Sequence, residues 1–479
     1  MQNFERAPLE SGFLIAGEWI SAGTRVEINS PYTGKSIGNT WLGTKKDVER
    51  AIAAAENSSA ELRRIPSYMR KGALLAVAEK IREHKNTFVG LMALEAGKPM
   101  KAARVEVDRA VLTFTTAAEE AVRMYGEYVP LDFIHATEGR WGIVRRFPIG
   151  PIAAITPFNF PLNLVAHKLA PAMAAGCPIV LKPAPQTPFC ALLLGKLILE
   201  SGWPASALSI LPLTNEDAAL LVSDDRLKLL SFTGSAKVGW KLKRDAGKKR
   251  VVLELGGNAA VIIHNDADID HAVSRCTSGA FSYAGQSCIS VQRILVHADI
   301  FDEFTAKMVE AAGKLRLGDP LEESTDVGPM IRVSDVERVE RWIKEAVSAG
   351  AKVLYGGSTK DSLIMPTLLS ATTARMKVNC EEIFAPVATI EPYKDFEDAL
   401  SRTNDSQYGL QAGLFTHDSR LIFGAFERLE VGGVIVGDVP TFRVDPMAYG
   451  GVKDSGLGRE GIRYAIEEMT ERRLLVMAG

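Results

Sequence analysis

The sequence predicts an α/β protein built on two parallel sheets, and three observations carry that prediction. From residue 151 to 254, apolar strand-like runs alternate with helix-period stretches. A second alternating series starts at Ala259-Ala260-Val261-Ile262-Ile263 and runs to about residue 440. The pair Gly256-Gly257 between them is a natural joint. A βαβα order implies parallel strands with helices on both faces. At 479 residues the chain is also too long for one hydrophobic core.

The elements follow in order. Residues 13–42 alternate short apolar runs with the turn signals Ala16-Gly17-Glu18 and Pro31-Tyr32-Thr33-Gly34, which predicts small strands and hairpins. Residues 46–58 and 68–122 carry helical spacing, broken at Gly97-Lys98-Pro99. Strand-like pieces at 128–131 and 141–146 predict a projecting hairpin. In the first alternating series, strands are expected at 151–156, 178–182, 208–212, 228–232 and 250–254. Helices are expected at 161–175, 188–201, 215–223 and 235–246. The chain closes on Arg473-Leu474-Leu475-Val476-Met477, one apolar strand after a helix. Lacking a local partner, that strand is expected to pair with another subunit.

Composition narrows the function classes. The chain is 47% hydrophobic and 24% charged, with a formal net charge of −2. That balance argues against a nucleic-acid or membrane-surface role. The basic run Lys241–Arg250 reads as a solvated helix face and loop. The five cysteines, Cys177, Cys190, Cys276, Cys288 and Cys380, are scattered and form no CxxC. Neither a disulfide framework nor a metal site is expected, and a reducing cytoplasm fits. No signal peptide and no membrane span are expected.

The chemistry centres on Phe281-Ser-Tyr-Ala-Gly-Gln-Ser-Cys288. A thiolate at Cys288 can attack a carbonyl carbon, and Glu254 in Glu254-Leu255-Gly256-Gly257 can activate the water that releases the acyl group. Asn159, in Thr156-Pro157-Phe158-Asn159-Phe160-Pro161, sits where a strand ends and a helix begins. It reads equally as an oxyanion donor, worth about 3 kcal/mol in a transition state, and as a helix cap. Lys182 closes an apolar strand, a costly position for a charge without a partner. Phe232-Thr233-Gly234-Ser235 joins a strand to a helix and suits a phosphate as well as an ordinary capped turn. It is not a Walker loop. The literal GxGxxG at Gly456-Leu457-Gly458-Arg459-Glu460-Gly461 follows no predicted strand and reads as a turn into the last helix.

Together and in this order, these motifs resemble the aldehyde dehydrogenase superfamily. The matching pieces are Pro157–Pro161, Lys182-Pro183-Ala184, Phe232–Ser235, Glu254–Gly257, Gly285–Cys288, Glu382-Ile383-Phe384-Ala385-Pro386 and Tyr449-Gly450-Gly451-Val452-Lys453. The resemblance implies a Rossmann-like cofactor domain (1–123 and 147–255), an α/β catalytic domain (256–446) and a small β oligomerisation domain (124–146 and 465–479). It implies a homodimer or homotetramer.

The resemblance also assigns roles. Cys288 adds to the aldehyde carbon. Asn159 and the Cys288 backbone N–H hold the oxyanion. Hydride leaves for NAD or NADP, and Glu254-activated water hydrolyses the thioester. The cofactor would lie along Thr156, Pro157, Phe158, Lys182, Ala184, Pro185, Gly234, Ser235, Leu255, Gly256, Glu382 and Phe384. Pro185 stands where many NAD-preferring members carry glutamate. Without that carboxylate nothing repels a 2′-phosphate, and Lys182 can pair with it, so NADP use stays open. Ala385 replaces a common glycine without putting the site in doubt.

The substrate mouth would be formed by Leu164, His167, Ser287, Ile289 and Thr441-Phe442-Arg443. His167 and Arg443 suggest a small polar or anionic aldehyde, as in members acting on lactaldehyde or phosphonoacetaldehyde. An ion pair of Arg443 with Asp445 or Asp438 is the structural alternative, and His167 can equally be a packed helix residue. Arg109 is a further, weaker candidate. Two rival functions are a CoA-acylating semialdehyde dehydrogenase and a catalytically silent nucleotide-binding or structural protein on this scaffold.

Overall fold

The computed structural model describes residues 9–478. Five strands of the first series pair in parallel. Their spatial order is Arg250–Glu254, Leu229–Thr233, Ile152–Ile155, Ile179–Lys182, Leu208–Ile210. The middle three are buried almost throughout, as parallel strands covered on both faces must be. From Ile152–Ile155 the chain adds two strands on one side and then two on the other. The strand order therefore reverses between Ile152–Ile155 and Leu229–Thr233, and ligands of such sheets bind outside the carboxyl ends at that point. Thr156–Asn159 leaves one of these two ends and Gly234-Ser235 the other.

This sheet has eight strands, three more than the alternating pattern predicted. The hairpin of Phe13–Ile15 and Glu18–Ile20 extends it antiparallel beyond Leu208–Ile210. At the opposite edge Gly456–Leu457 pairs antiparallel with Arg250–Glu254, setting Gly456 opposite Glu254. Strands of two or three residues are too short to show a period. The GxGxxG stretch thus does lead into the helix Ile462–Glu468, but it begins as an edge strand beside Glu254.

The expected helices appear as Asn163–Ala175, Phe189–Leu199 and Ala236–Asp245. The stretch 215–223 keeps only Ala219–Ser223 as α-helix. Every residue of Asn163–Ala175 is buried. Such a helix must be apolar on all sides, so His167 and Lys168 within it need internal partners. The long helical region divides into Ser67–Glu83, Lys85–Ala96 and Met100–Ala121, with Gly97 in the left-handed conformation at the predicted break.

The second series forms a seven-stranded sheet. Its order is Lys352–Tyr355, Thr367–Ser370, Val387–Tyr393, Arg293–His297, Ala260–Ile263, Gln411–Phe415, Gly433–Val436. All pairs are parallel except the first.

The predicted hairpin is present as Glu127–Pro130 and Trp141–Pro148. The terminal strand has a partner in its own chain, which corrects the premise that it lacks one. Thr470–Met477 pairs antiparallel with Trp141–Pro148 of its own chain, over eight residues from Thr470 opposite Pro148 to Met477 opposite Trp141. Its partner lies more than 300 residues back along the chain, so a local reading could not see it. Among the described residues, no helix is long and apolar enough to cross a membrane. No group of three or more His, Cys, Asp or Glu there could hold a metal ion.

Candidate active site

A cavity of about 300 Å³ opens at the reversal point of the first sheet and is closed from the other side by the second series. Pro157, Phe158, Asn159, Gly234, Ser235, Glu254, Leu255 and Gly256 reach it from the first sheet. Ser287, Cys288, Ile289, Glu382, Phe384, Arg443, Tyr449 and Glu460 reach it from the remainder of the chain.

The nucleophile loop is held in an unusual backbone shape. Tyr283, Ala284 and Gly285 all have positive φ, at 50°, 52° and 65°. Such a run is strained for side-chain-bearing residues and persists only where the surroundings dictate it. Here the Tyr283 hydroxyl donates to the Ala96 carbonyl at 2.9 Å. The buried Gln286 amide donates to Pro329 O at 3.2 Å and accepts from Ile331 N at 3.0 Å. Gly285 is required twice over: a Cβ there would collide with the Ala385 carbonyl. The loop delivers Cys288 to the cavity wall, partly exposed, packed with Ile289, Leu410 and Tyr449. Its Sγ lies 3.1 Å from the Tyr449 hydroxyl. Burial pushes the thiol up to about 11, against the opposing hydrogen bond from Tyr449. Asn159 is buried beside it, and its amide donates to the Gln286 carbonyl at 2.9 Å.

Two buried carboxylates face this cavity in contrasting states. Glu254 has no hydrogen-bond partner on either oxygen. Burial, and then the charge of Glu460, raise its pKa well above the ordinary carboxylate range. Glu460 is paired with Lys168 and, at 2.8 Å, with Arg443. Those cations outweigh its burial and hold it ionised well below that range. Arg443 in turn lies with its guanidinium carbon 3.8 Å from the centre of the Tyr449 ring.

Several residues could hold a nucleotide cofactor. The helix Ala236–Asp245 has no side-chain cap, so the free N–H groups behind Gly234-Ser235 face an anion-favouring position. Glu382 accepts from Gly257 N at 3.2 Å, and a Cβ at Gly256 would overlap its carboxylate. Burial raises Glu382 to about 7. Lys182, at the end of Ile179–Lys182, is 5% exposed, and burial alone lowers its amine to about 8. That is a buried cation awaiting a partner. The buried Thr156 and Thr233 hydroxyls have no partner either. These unmet donors fit a dinucleotide's ribose and phosphate groups. Lys182, Thr156, Ala184 and Pro185 lie outside the cavity wall described above.

Among the substrate candidates, Leu164, Ser287, Ile289 and Arg443 line the cavity, whereas His167 does not. His167 is 1% exposed and stands 3.3 Å from Asp445. Burial, followed by Arg443, depresses its pKa. Arg443 is ion-paired, but with Glu460 rather than with the expected Asp445 or Asp438. Asp438 is taken by Arg275 at 2.6 Å. Arg109, the weaker candidate, is the guanidinium left free: it lines the cavity, and its buried Nε and one Nη have no partner.

Sequence reasoning missed Glu460 and Lys168 entirely. The only available signal for Glu460 was the GxGxxG stretch that contains it. Tyr449 was visible as part of a motif without a role of its own.

A free thiol, an unpaired buried carboxylate and a side-chain amide thus meet in one cavity at the crevice of a doubly wound sheet. Residues 19–475 match the model of the aldehyde dehydrogenase family, and the chain belongs to that family. It is 44% identical to the 3-sulfolactaldehyde dehydrogenase of Priestia aryabhattai over 469 residues, 97% of this chain and 98% of that one. Aldehyde dehydrogenase 21 of Physcomitrella patens, solved with its reaction product succinate, superposes with a TM-score of 0.97 at 44% identity, covering 99% of both chains. The glyceraldehyde-3-phosphate dehydrogenase of Methanocaldococcus jannaschii complexed with NADP gives 0.92 at 38% identity, covering 96% of this chain and 100% of that one. The chain is an NAD(P)-dependent aldehyde dehydrogenase.

Proposed function

We propose that the protein oxidises a small anionic aldehyde to its carboxylic acid through an acyl group carried on Cys288. The observation that carries the substrate class is Arg109. Burial, and then the nearby positive charge of Arg443, oppose its own charge. A guanidinium keeps its charge regardless, so an unpaired one in a cavity favours an anionic ligand. The relatives named for 3-sulfolactaldehyde and glyceraldehyde 3-phosphate, and the one solved with succinate, agree with that class.

The bound nicotinamide supplies the hydride acceptor, NAD or NADP. Gly234, Ser235, Leu255, Gly256, Glu382 and Phe384 are suited to hold it from the cavity side, with Lys182 and Thr156 reserved for the far ribose. The chain's own residues do the rest. Cys288 sulfur bonds to the aldehyde carbon, and the carbonyl oxygen takes the negative charge. Asn159, freed from the Gln286 carbonyl or using its second amide hydrogen, donates to that oxygen. As the oxygen re-forms the carbonyl, the hydrogen on the same carbon would leave as hydride for the nicotinamide, and a thioester remains on Cys288. Glu254, unpaired and in its ionised form, takes a proton from water as the water attacks the thioester. The C–S bond then breaks and returns the electron pair to sulfur. A free Glu254 favours water over CoA as the acyl acceptor, and the intact set of three favours an enzyme over a silent scaffold.

The cofactor, catalytic and oligomerisation domains follow the eight-stranded sheet, the seven-stranded sheet and, third, the sheet of Glu127–Pro130, Trp141–Pro148 and Thr470–Met477. Exposed Leu474, Leu475 and Val476 on the outer strand of the third sheet support a homodimer or homotetramer, and five free cysteines suit the cytoplasm. The test is kcat/KM for succinic semialdehyde, phosphonoacetaldehyde and glyceraldehyde 3-phosphate against lactaldehyde, propanal and benzaldehyde. The anionic group should lead, and Arg109→Met should remove its lead by about 100-fold while sparing the neutral aldehydes. Equal rates for both groups in the unmodified protein would refute the anionic class.

A further inference from the structure

We propose that Tyr449 is a catalytic residue: its hydroxyl donates a hydrogen bond to the Cys288 thiolate, and Arg443 on the face of its ring is the positioning residue that strengthens this donor. The proposal rests on Cys288 being the nucleophile and adds what stabilises its reactive form.

The geometry is direct. Sulfur and phenol oxygen lie 3.1 Å apart, and Tyr449 is 3% exposed. Among the described residues the structure gives the Cys288 sulfur no other hydrogen-bond partner. A thiolate here needs help, because burial among apolar groups (Ile289 and Leu410), and then the carboxyl groups of Glu382 and Glu254, disfavour negative charge. The charge of Arg443 favours the thiolate from a distance, but no cationic side chain hydrogen-bonds to the sulfur.

Tyr449 is a donor and not a base. Burial, together with the neighbouring thiol, keeps its proton on far above the ordinary phenol range. The cation over the ring draws charge from the π face and makes the hydroxyl a better donor. Arg443 is held there by its 2.8 Å bond to Glu460, which in turn is fixed by Lys168. The Lys168–Glu460–Arg443–Tyr449 chain thus ends on sulfur. This accounts for a buried arginine already committed to an internal partner, a poor arrangement for a substrate clamp.

The same hydrogen bond acts twice in the cycle. It stabilises the thiolate before attack. It weakens once sulfur is bonded to carbon, and it re-forms when the C–S bond breaks and the pair returns to sulfur. Tyr449 keeps its proton throughout.

The test needs neither substrate nor cofactor. The thiolate's ultraviolet absorbance is followed against pH as a difference from Cys288→Ser, and carbamoylmethylation by iodoacetamide is followed at the Cys288 peptide. In Tyr449→Phe the absorbance midpoint should rise by about one pH unit, and alkylation below it should slow roughly tenfold. Arg443→Met should move the midpoint the same way, by less than half as much, and by less still in the Tyr449→Phe background, where only its direct charge remains; equal shifts in both backgrounds overturn the positioning role. An unchanged midpoint in Tyr449→Phe overturns the proposal, and an unchanged midpoint in Arg443→Met alone overturns the positioning role. Dehydrogenase activity surviving in Cys288→Ser would refute the nucleophile assignment instead, a separate result.

Discussion

Glu254 and Glu460, two buried carboxylates that line the cavity, are shifted in opposite directions. Glu254 lies at the end of a parallel strand and meets no donor. Glu460 follows the edge strand and is clamped by Lys168 and Arg443. Burial is nearly equal, at 3% and 2% exposure, so burial does not set their roles; partners do. The unpaired carboxylate is available for proton transfer. The paired one fixes the wall. The arginines divide likewise, Arg109 free and Arg443 committed, and the free member of each pair faces the chemistry.

The largest expected effect sharpens this contrast. Glu460→Gln leaves Lys168 and Arg443 buried without their counter-charge and should cost about 3–5 kcal/mol in a denaturant titration. Its folded-state pKa is depressed, so the stability it confers is present above the unfolded carboxylate value. The penalty of the substitution should shrink as pH falls through the acid range.

Glu254→Gln should behave in reverse. Its folded pKa is raised, so the native state retains a proton the unfolded chain has lost, and the residue weakens the fold as pH rises above the usual carboxylate range. The glutamine variant should therefore be more stable than the parent at pH 8 and less distinguishable at pH 4. A loss of stability at pH 8 would break the comparison. Its turnover should fall about 100-fold or more, since general base assistance is gone.

The smallest effect concerns the far end of the site. Lys182 has an amine near 8. If it meets a 2′-phosphate, the ratio of NAD to NADP dissociation constants, read by fluorescence quenching, should decline about tenfold as pH rises from 7 to 9. Lys182→Met should flatten that dependence.

Much of this was legible in the sequence because it is local. Strands such as Ile179–Lys182 and helices such as Ala236–Asp245 announce themselves by period and by turn residues at their ends. The motifs around Asn159, Glu254 and Cys288 are contiguous runs whose order along the chain is informative. The missing parts are those made by long-range pairing. Lys168 meets Glu460 across 292 residues, and Tyr449 meets Cys288 across 161. The terminal strand finds its partner in the hairpin of the same chain, and the hairpin of Phe13–Ile15 and Glu18–Ile20 joins a sheet whose other strands begin at Ile152. No local pattern encodes such contacts. The partner of Arg443 was misjudged for the same reason: Asp445 is near in sequence, but Glu460 is near in space.

The most direct test of the account is to trap the acyl group. Glu254→Gln would be mixed with succinic semialdehyde and NAD or NADP, quenched within the first turnover and mapped by peptide mass spectrometry. The account predicts an adduct on the Cys288 peptide with the mass of the aldehyde less two hydrogens, the signature of a thioester left unhydrolysed. An unmodified Cys288 peptide alongside stoichiometric reduced cofactor would contradict it.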